Sequence, residues 1–418
     1  MWQANIFKGD DAVETEISLF SPRLEILQQE LEDGNAAALD AFWQEVSQQD
    51  TPLIELISGD ETHSLVTFIW RAADETQNVA VVSCLSGQMG ASEAMTRMPA
   101  TDLWYKTYKL PNDTRDSYQF TVAGNNVTDP FNRRRHVFPG DPEIGFTGWE
   151  SSIFELPASP PHLWNSSRLD IPPGQVVLHR IRNDSLDNEY RVWVYTPPGY
   201  TADGPPYGWL LMFDGWFYIN LIPTPTIVDN LHTDGLLPPL VAIMVGSPFE
   251  QYRRRDLACY PPFENFLMHE VLPWARQSYH LSNDPAQIAV VGASLGGLMA
   301  AYIGLRHSDR FGNVLAQSGY FGWKPREDDE DEWIVHQYAA SAKLPLRFYI
   351  EAGLFETDQP TPLPGFKNLL VSARHMRDVL QAKGYPVRYA EFSGGHNPMN
   401  WQGTLANGLL ALLGKDTR

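Results

Sequence analysis

Apolar residues at helical spacing mark the first part of the chain. They recur every three or four positions through residues 15–49 and are interrupted at Asp33-Gly34. This pattern predicts a helical lead segment with a break at that dipeptide. The apolar positions are Leu24, Leu27, Leu31, Leu39, Phe42 and Val46.

Short segments rich in Val, Thr, Ile and Phe follow, from residue 62 to about residue 124. Polar residues or glycine bound each of them, as in THSLVTFIWRA, NVAVVSCLSG, LWYKTYKL and SYQFTVAG. Strands this short and this closely spaced are typical of an antiparallel sandwich. We therefore predict a small β-sandwich of the Ig-like (E-set) type after the helical segment.

Residues 129–173 contain many helix and strand breakers, including DPFN, FPGDP, LPASPPH and IPPG. Such a stretch is typical of a connection between domains. It predicts a first domain over 1–158 and a second over 159–418.

The second domain has a different hydrophobic pattern. A leading hairpin, QVVLHRI and YRVWVYTPPGY, precedes the continuous apolar runs WLLMFDG, LVAIMVG, QIAVVGAS and RFYIEAG. Helical stretches lie between or after these runs, at Phe263–Ser278, Leu298–His307 and Phe366–Lys383. Strands buried on both faces that alternate with helices predict an α/β fold with a mostly parallel sheet.

Composition narrows the possible functions. The chain has 418 residues, enough for two domains, and its only cysteines, Cys84 and Cys259, exclude a disulfide scaffold and a zinc ribbon. Unpaired thiols suit the cytoplasm. No apolar stretch approaches the roughly 18 residues of a membrane span, and MWQANIFKGDDAVETE lacks the basic start and apolar core of a secretory signal. These features predict a cytoplasmic protein without membrane insertion.

The net charge of -20 argues against a nucleic-acid partner, because phosphate binding needs clustered Lys and Arg. Residues 1–50 contribute -9 of this charge, and the run at 327–332 contributes -6. An anionic small molecule could therefore approach the rest of the surface.

The strongest chemical signal is Gly-Ala-Ser-Leu-Gly-Gly at 292–297. It follows the apolar strand QIAVV and opens the helix LMAAYIGLRH. A serine on such a strand-to-helix turn is a nucleophile elbow, which holds its hydroxyl above the sheet. The pattern predicts Ser294 as a catalytic nucleophile, whereas an ordinary glycine-rich turn is the alternative.

A serine nucleophile needs a base and an acid that orients the base. His396 lies in SGGHNP, after the strand-like YPVRYAEF and 102 residues beyond Ser294, in the Ser–acid–His order of hydrolases. The acid is predicted in the loop after RFYIEAG, with Glu356 as first choice and Asp358 as second. Glu351 lies inside that strand and is less suited to reach the histidine.

An oxyanion hole requires two N–H groups near the nucleophile. The backbone N–H of Leu295 is one predicted donor, and that of Trp216, in the loop after WLLMFDG, is the other. Arg254 and Arg255 follow a strand-like run at the predicted ligand edge and are candidates for substrate binding. Trp323 and Trp401 could stack on an aromatic substrate, although large aromatics more often pack in a core.

These residues together resemble the enterochelin (enterobactin) esterases, within the esterase D-like α/β-hydrolases. The segment VVGASLGGLMAAYIGLRHSDRFGNVLAQSG carries the resemblance, as do LLMFDGWFY, RFYIEAGLFE and GGHNPMNWQGTL. TFIWRA, RMPATDLWYKTYKL and SYQFTV are similar to the first domain of that family, which most esterase D-like enzymes lack.

The resemblance implies an α/β-hydrolase domain after a β-sandwich and hydrolysis of the trilactone of a ferric catecholate siderophore in the cytoplasm. It implies Ser294, His396 and Glu356 as the triad, and no cofactor, with iron arriving only as part of the substrate. Two alternatives stay open at this point. One is a general acyl or feruloyl-type carboxylesterase whose sandwich binds carbohydrate, and the other is a siderophore-binding protein with an inert site.

Overall fold

The computed structural model describes residues 20–73, 76–248, 250–360 and 362–415. The predicted helical segment contains α1 (Pro22–Glu32) and α2 (Ala38–Gln48), with the break where Asp33-Gly34 predicts it. Ser21 caps α1, because its hydroxyl accepts a hydrogen bond from the N–H of Leu24. Residues 15–19 of that prediction, and the segment used for the secretory-signal prediction, lie outside the described residues.

Two β-sheets follow the helices. Their strands are β1 (Leu53–Ile57), β2 (Asp60–Arg71), β3 (Val79–Ser83), β4 (Ala91–Ala94), β5 (Thr96–Arg97), β6 (Leu103–Pro111), β7 (Arg115–Val122), β8 (Asn125–Val127), β9 (Arg135–Phe138) and β10 (Trp149–Glu155). One sheet has the order β1-β2-β6-β5 and the other has the order β4-β3-β7-β10-β9, with β8 on β7. Phe68 and Trp104 from the first sheet pack against Val81, Phe120 and Phe154 from the second. The predicted N-terminal β-sandwich is confirmed.

The breaker-rich segment 129–173 is more ordered than the sequence predicts. β10 pairs with β7 and β9, so both strands complete the second sheet of the sandwich. Trp149 and Glu150 at the start of β10 are exposed, and this strand therefore lacks a simple apolar alternation. The domain boundary at 158 stays a prediction, although β10 ends at Glu155 and the next strand begins at Gln175.

The C-terminal part contains a single eight-stranded sheet. Its strands are β11 (Gln175–Asn183), β12 (Asn188–Thr196), β13 (Gly208–Phe213), β14 (Leu240–Val245), β15 (Ile288–Ala293), β16 (Asn313–Gln317), β17 (Arg347–Gly353) and β18 (Val387–Phe392). The order is β11-β12-β14-β13-β15-β16-β17-β18, in which β12 is antiparallel to both neighbours and the pairs from β14 to β18 are parallel. This arrangement confirms the predicted α/β-hydrolase fold class. Strand β16, NVLAQ, escaped the sequence prediction because it is short and ends in polar residues.

Helices cover both faces of the sheet. They are α3 (Gly215–Asn220), α4 (Thr224–Thr233), α5 (Glu250–Asp256), α6 (Pro261–Phe266), α7 (Leu272–Ser278), α8 (Leu295–Arg306), α9 (Trp333–Ala340), α10 (Leu369–Ala382) and α11 (Pro398–Leu413), with a π-helical turn at Leu267–Val271 between α6 and α7. Leu211 and Val290 point into the core on one face, whereas Leu210 and Ala289 point into the core on the other. Burial on both faces explains why these strands appear in the sequence as continuous apolar runs.

Among the described residues, no helix has both the length and the apolar character that a membrane crossing requires.

Candidate active site

Ser294 occupies a strained turn between β15 and α8. Its backbone has φ 58° and ψ -120°, a positive-φ conformation that is rare for a residue with a side chain. A Cβ atom on Gly292 would lie 2.2 Å from the backbone of Gly296, and one on Gly297 would lie 2.9 Å from the Cα of Gly319. Gly292 therefore lets β15 and α8 approach closely enough to form the sharp turn that the elbow motif predicts, and Gly297 lets α8 pack against the turn after β16.

His396 follows β18, and its imidazole is held from two sides. Nδ1 lies 3.2 Å from Oε1 of Glu356, which is fully buried. The ring of Trp401 meets the imidazole edge-on, with centroids 4.9 Å apart. A carboxylate at Nδ1 leaves Nε2 as the nitrogen that can accept a proton from a nucleophile.

The second candidate acid lies elsewhere. Asp358 is exposed, and its backbone N–H donates to the carbonyl of Gly87 over 2.9 Å. The structure thus brings Glu356, and not Asp358, to His396. Both acids come from the loop after β17, as the sequence predicts.

Ser294 and His396 line the same cavity, whose volume is about 160 Å³. Parallel strands bring their carboxyl ends to one edge of the sheet, so the loops after β15, β17 and β18 meet there. The other lining residues are Met89, Glu250, Arg253, Arg254, Leu295, Tyr320, Gln359, Pro360, Pro362 and Leu369. Met89 belongs to the N-terminal part, which therefore contributes to the wall of the cavity.

The two predicted oxyanion donors lie at the first turns of neighbouring helices. Leu295 begins α8, and Trp216 is the second residue of α3, where N–H groups lack acceptors within the helix. A Cβ on Gly296 would lie 3.3 Å from a carboxylate oxygen of Asp214, the residue before α3, so the two helix starts are adjacent. The first turns of α3 and α8 could stabilise negative charge developing between them.

Arg253, which the sequence analysis did not select as a candidate, forms an ion pair at the start of α3. Arg253 donates to both carboxylate oxygens of Asp214, over 2.6 and 2.8 Å. Burial alone would lower the pKa of Arg253, but the Asp214 carboxylate raises it above the usual value. Asp214 has φ 58° and is buried, so the ion pair holds the strained start of α3 in place. The sequence contained one signal for this pair: Asp214 directly follows the apolar run WLLMF, and a carboxylate buried there needs a cationic partner.

Of the two arginines predicted to bind substrate, only Arg254 lines the cavity. Arg254 lines the cavity and pairs with Glu250 over 3.0 Å. Arg255 is not among the lining residues; it pairs with Asp256 over 2.8 Å, and its guanidinium lies over the rings of Tyr252 and Tyr260.

Both predicted tryptophans are buried away from the cavity lining. Trp323 packs edge-on against Trp333. The indole N–H of Trp401 donates to the hydroxyl of Ser318 over 2.9 Å. Trp401 thus contacts His396 rather than the open cavity, and core packing accounts for both side chains.

Glu351 is a second buried carboxylate below the site. It accepts hydrogen bonds from Gln317, Thr404 and Tyr349. Burial raises its pKa from 4.5 to about 7. This residue is hydrogen-bonded within the core, as expected for an acid inside a strand.

We expect Glu351→Gln to remove a pH-dependent part of the stability. The native state holds the Glu351 proton more tightly than the unfolded chain does, so this contribution is complete below the unfolded pKa of about 4.5. It is lost as the pH rises through about 7. Urea unfolding between pH 5 and 8 should show the wild-type advantage over the variant shrinking toward about pH 7. An advantage that stays constant across this range would contradict the raised pKa.

Comparison with known proteins gives the family. The Esterase family model matches residues 183–412, and the model for the N-terminal domain of enterochelin esterases matches residues 65–126. The chain is 27% identical to the iron(III) enterobactin esterase of Dickeya dadantii, over 91% of this chain and 94% of that protein. It is also 27% identical to the iron(III) enterobactin esterase of Escherichia coli O6:H1, over 83% and 90% respectively.

A solved structure has the same fold. The ferric enterobactin esterase of Salmonella typhimurium superposes with a TM-score of 0.72, at 24% identity, over 89% of this chain and 98% of that one. The Esterase match covers more than half of this chain, and the enterochelin esterase N-terminal match lies ahead of it. This chain therefore belongs to the esterase family, in the enterochelin esterase group that its sequence resembles.

Proposed function

We propose that the protein is a serine esterase that hydrolyses the trilactone of a ferric catecholate siderophore of the enterobactin type. The observation that carries ester hydrolysis is the shared cavity, in which Ser294 faces the same space as a histidine bonded to a buried carboxylate. Such a nucleophile, base and acid attack esters and amides by acyl transfer, and the match to the Esterase family model favours an ester substrate.

The choice of substrate rests on the relatives and on charge. The two relatives compared above are iron(III) enterobactin esterases, and a third, at 22% identity over 93% of this chain, is an iron(III) salmochelin esterase of Escherichia coli. A ferric tris-catecholate is anionic and aromatic. Arg254 at the cavity rim can offer such a ligand both charge and a planar face.

The proposed reaction proceeds through an acyl-enzyme. The hydroxyl oxygen of Ser294 bonds to a lactone carbonyl carbon while His396 takes the hydroxyl proton, and Glu356 stabilises the resulting imidazolium. The N–H groups of Leu295 and Trp216 hold the oxyanion. The ester C–O bond then breaks as His396 protonates the leaving alkoxide. Water then attacks the acyl carbon as His396 takes its proton, and the bond to Ser294 breaks as His396 returns that proton to the serine oxygen.

This mechanism needs no cofactor, and iron would enter only as part of the substrate. Cys84 and Cys259 are both unpaired thiols, which supports a reducing compartment such as the cytoplasm. We therefore propose a cytoplasmic enzyme acting on an imported small molecule.

Mass spectrometry of products tests the substrate. Incubation with ferric enterobactin should convert the cyclic triester into linear trimer, dimer and monomer of dihydroxybenzoyl-serine, with one water added per ester cleaved. Inactive Ser294→Ala protein, assayed in parallel, should leave the cyclic compound intact.

Two outcomes would contradict the proposal. Faster hydrolysis of feruloylated arabinoxylan than of ferric enterobactin would assign the protein to the feruloyl-type carboxylesterases. Siderophore binding without turnover, and without labelling of Ser294 by a fluorophosphonate, would indicate an inert binding protein.

A further inference from the structure

The β-sandwich contacts both loops that carry the proposed base and acid. The carbonyl of Gly87 accepts hydrogen bonds from the N–H groups of Thr357 and Asp358, over 3.0 and 2.9 Å, directly after Glu356. The N–H of Arg115, at the start of β7, donates to the carbonyl of Ser393 over 3.3 Å. The sandwich therefore bonds to the backbone on the acid side and on the histidine side of the site.

One side-chain contact lies next to the histidine itself. The Asn397 side-chain NH₂ donates to Oδ1 of Asp116, a fully buried residue of β7. The oxygen of the same amide accepts from the N–H of Asn400 over 3.3 Å and so caps α11. Each end of the Asn397 amide has its own partner, and the two bonds together define which way the amide faces.

The neighbouring backbone packs tightly against the sandwich. A Cβ on Gly395 would lie 2.0 Å from the Cβ of Cys84 and 3.2 Å from a carboxylate oxygen of Asp116. Gly394 and Gly395 precede His396, and glycine by itself gives the backbone wide conformational freedom. Contacts with the sandwich therefore supply the rigidity that the Gly-Gly sequence lacks.

We propose that Asp116 is a positioning residue, which orients His396 by holding the amide of Asn397 from the first domain. Both parts of the chain thus determine the orientation of His396. The sandwich contributes this contact as well as a lining residue of the cavity. This inference rests on the proposed roles of Ser294, His396 and Glu356. Small displacements of a catalytic group can lower the rate about 100-fold, which makes such a contact measurable.

A reciprocal exchange tests the contact. Asn397→Asp keeps a good helix cap but replaces the amide donor by a carboxyl group beside Asp116, whose pKa burial already raises to about 7. The pair must then either carry two like charges or take up a proton, and in both cases the neutral amide-to-carboxylate contact is lost. We expect kcat for a small nitrophenyl ester to fall about 10-fold to 100-fold, with little change in KM. Adding Asp116→Asn restores one amide and one carboxylate with their roles reversed, and should bring kcat back to within about threefold of wild type.

The rate of Ser294 labelling by a fluorophosphonate should likewise fall in Asn397→Asp and recover in the double variant, because labelling also depends on the histidine. Neither probe requires a siderophore, so failure of the siderophore assay would leave this test intact. Wild-type protein that resists the fluorophosphonate would instead contradict the proposed triad.

Asp129→Asn provides the matched control. Asp129 is also a fully buried acid of the sandwich, but its carboxylate accepts from Thr51 and Tyr118 within that domain. We expect a lower Tm and an unchanged kcat for the folded variant. The proposal would be overturned if Asn397→Asp kept wild-type kcat, or if the double variant were no faster than Asn397→Asp alone while folding normally.

Discussion

Replacing Ser294 by alanine is expected to lower kcat by about 10⁴-fold to 10⁶-fold toward any ester that the enzyme accepts. In the proposed mechanism the hydroxyl forms the covalent bond in the first step, and the described residues that line the cavity include no other serine, threonine or cysteine. Oxyanion donors remain in the variant, so a small residual rate over water is expected. Steady-state kinetics and fluorophosphonate labelling measure the loss.

Ser372→Ala is a suitable control for this variant. Ser372 is a fully buried serine of α10, and its hydroxyl donates to the carbonyl of Leu369. We expect near wild-type kcat for this control and unchanged siderophore binding for Ser294→Ala. Turnover of Ser294→Ala at a rate close to wild type would exclude Ser294 as the nucleophile.

Replacing Glu356 by glutamine is expected to lower kcat by about 10³-fold to 10⁴-fold. In the proposed mechanism the Glu356 carboxylate stabilises protonated His396, and the variant lacks that charge. The new amide can also donate to Nδ1 and so favour the wrong tautomer. Glu356 is fully buried, so water does not compensate for the lost carboxylate. Because the effect acts on the charged transition state, kcat should fall far more than KM changes.

Asp358→Asn decides between the two candidate acids. Asp358 lies two residues away on the same loop, is exposed and points its charge to solvent. We expect this variant to retain kcat within about twofold, as is usual for surface substitutions. A large loss in Asp358→Asn together with a small loss in Glu356→Gln would reverse the assignment of the acid.

Local sequence patterns determined most of the fold. Continuous apolar runs predicted the buried parallel strands, since a strand covered by helices on both faces has no polar side. The two glycines around Ser294 predicted the elbow, because only residues without Cβ allow strand and helix to come so close. The strand-like YPVRYAEF and the Ser–acid–His order of hydrolases predicted His396 in the loop after the last strand, and RFYIEAG predicted the acid in the loop after β17.

Tertiary structure decided the features that join distant parts of the chain. Asp116 and Asn397 are 281 residues apart, and Arg253 meets Asp214 across 39 residues, so neither pair has a local signature. Likewise, only the tertiary structure shows that Glu356 rather than Asp358 contacts His396, because both acids lie in one loop. The sequence by itself specified which elements form and which chemistry they carry, since periodicity and turn residues act locally. Which side chains meet, and which domain holds the histidine in place, depended on the packing of two domains against each other.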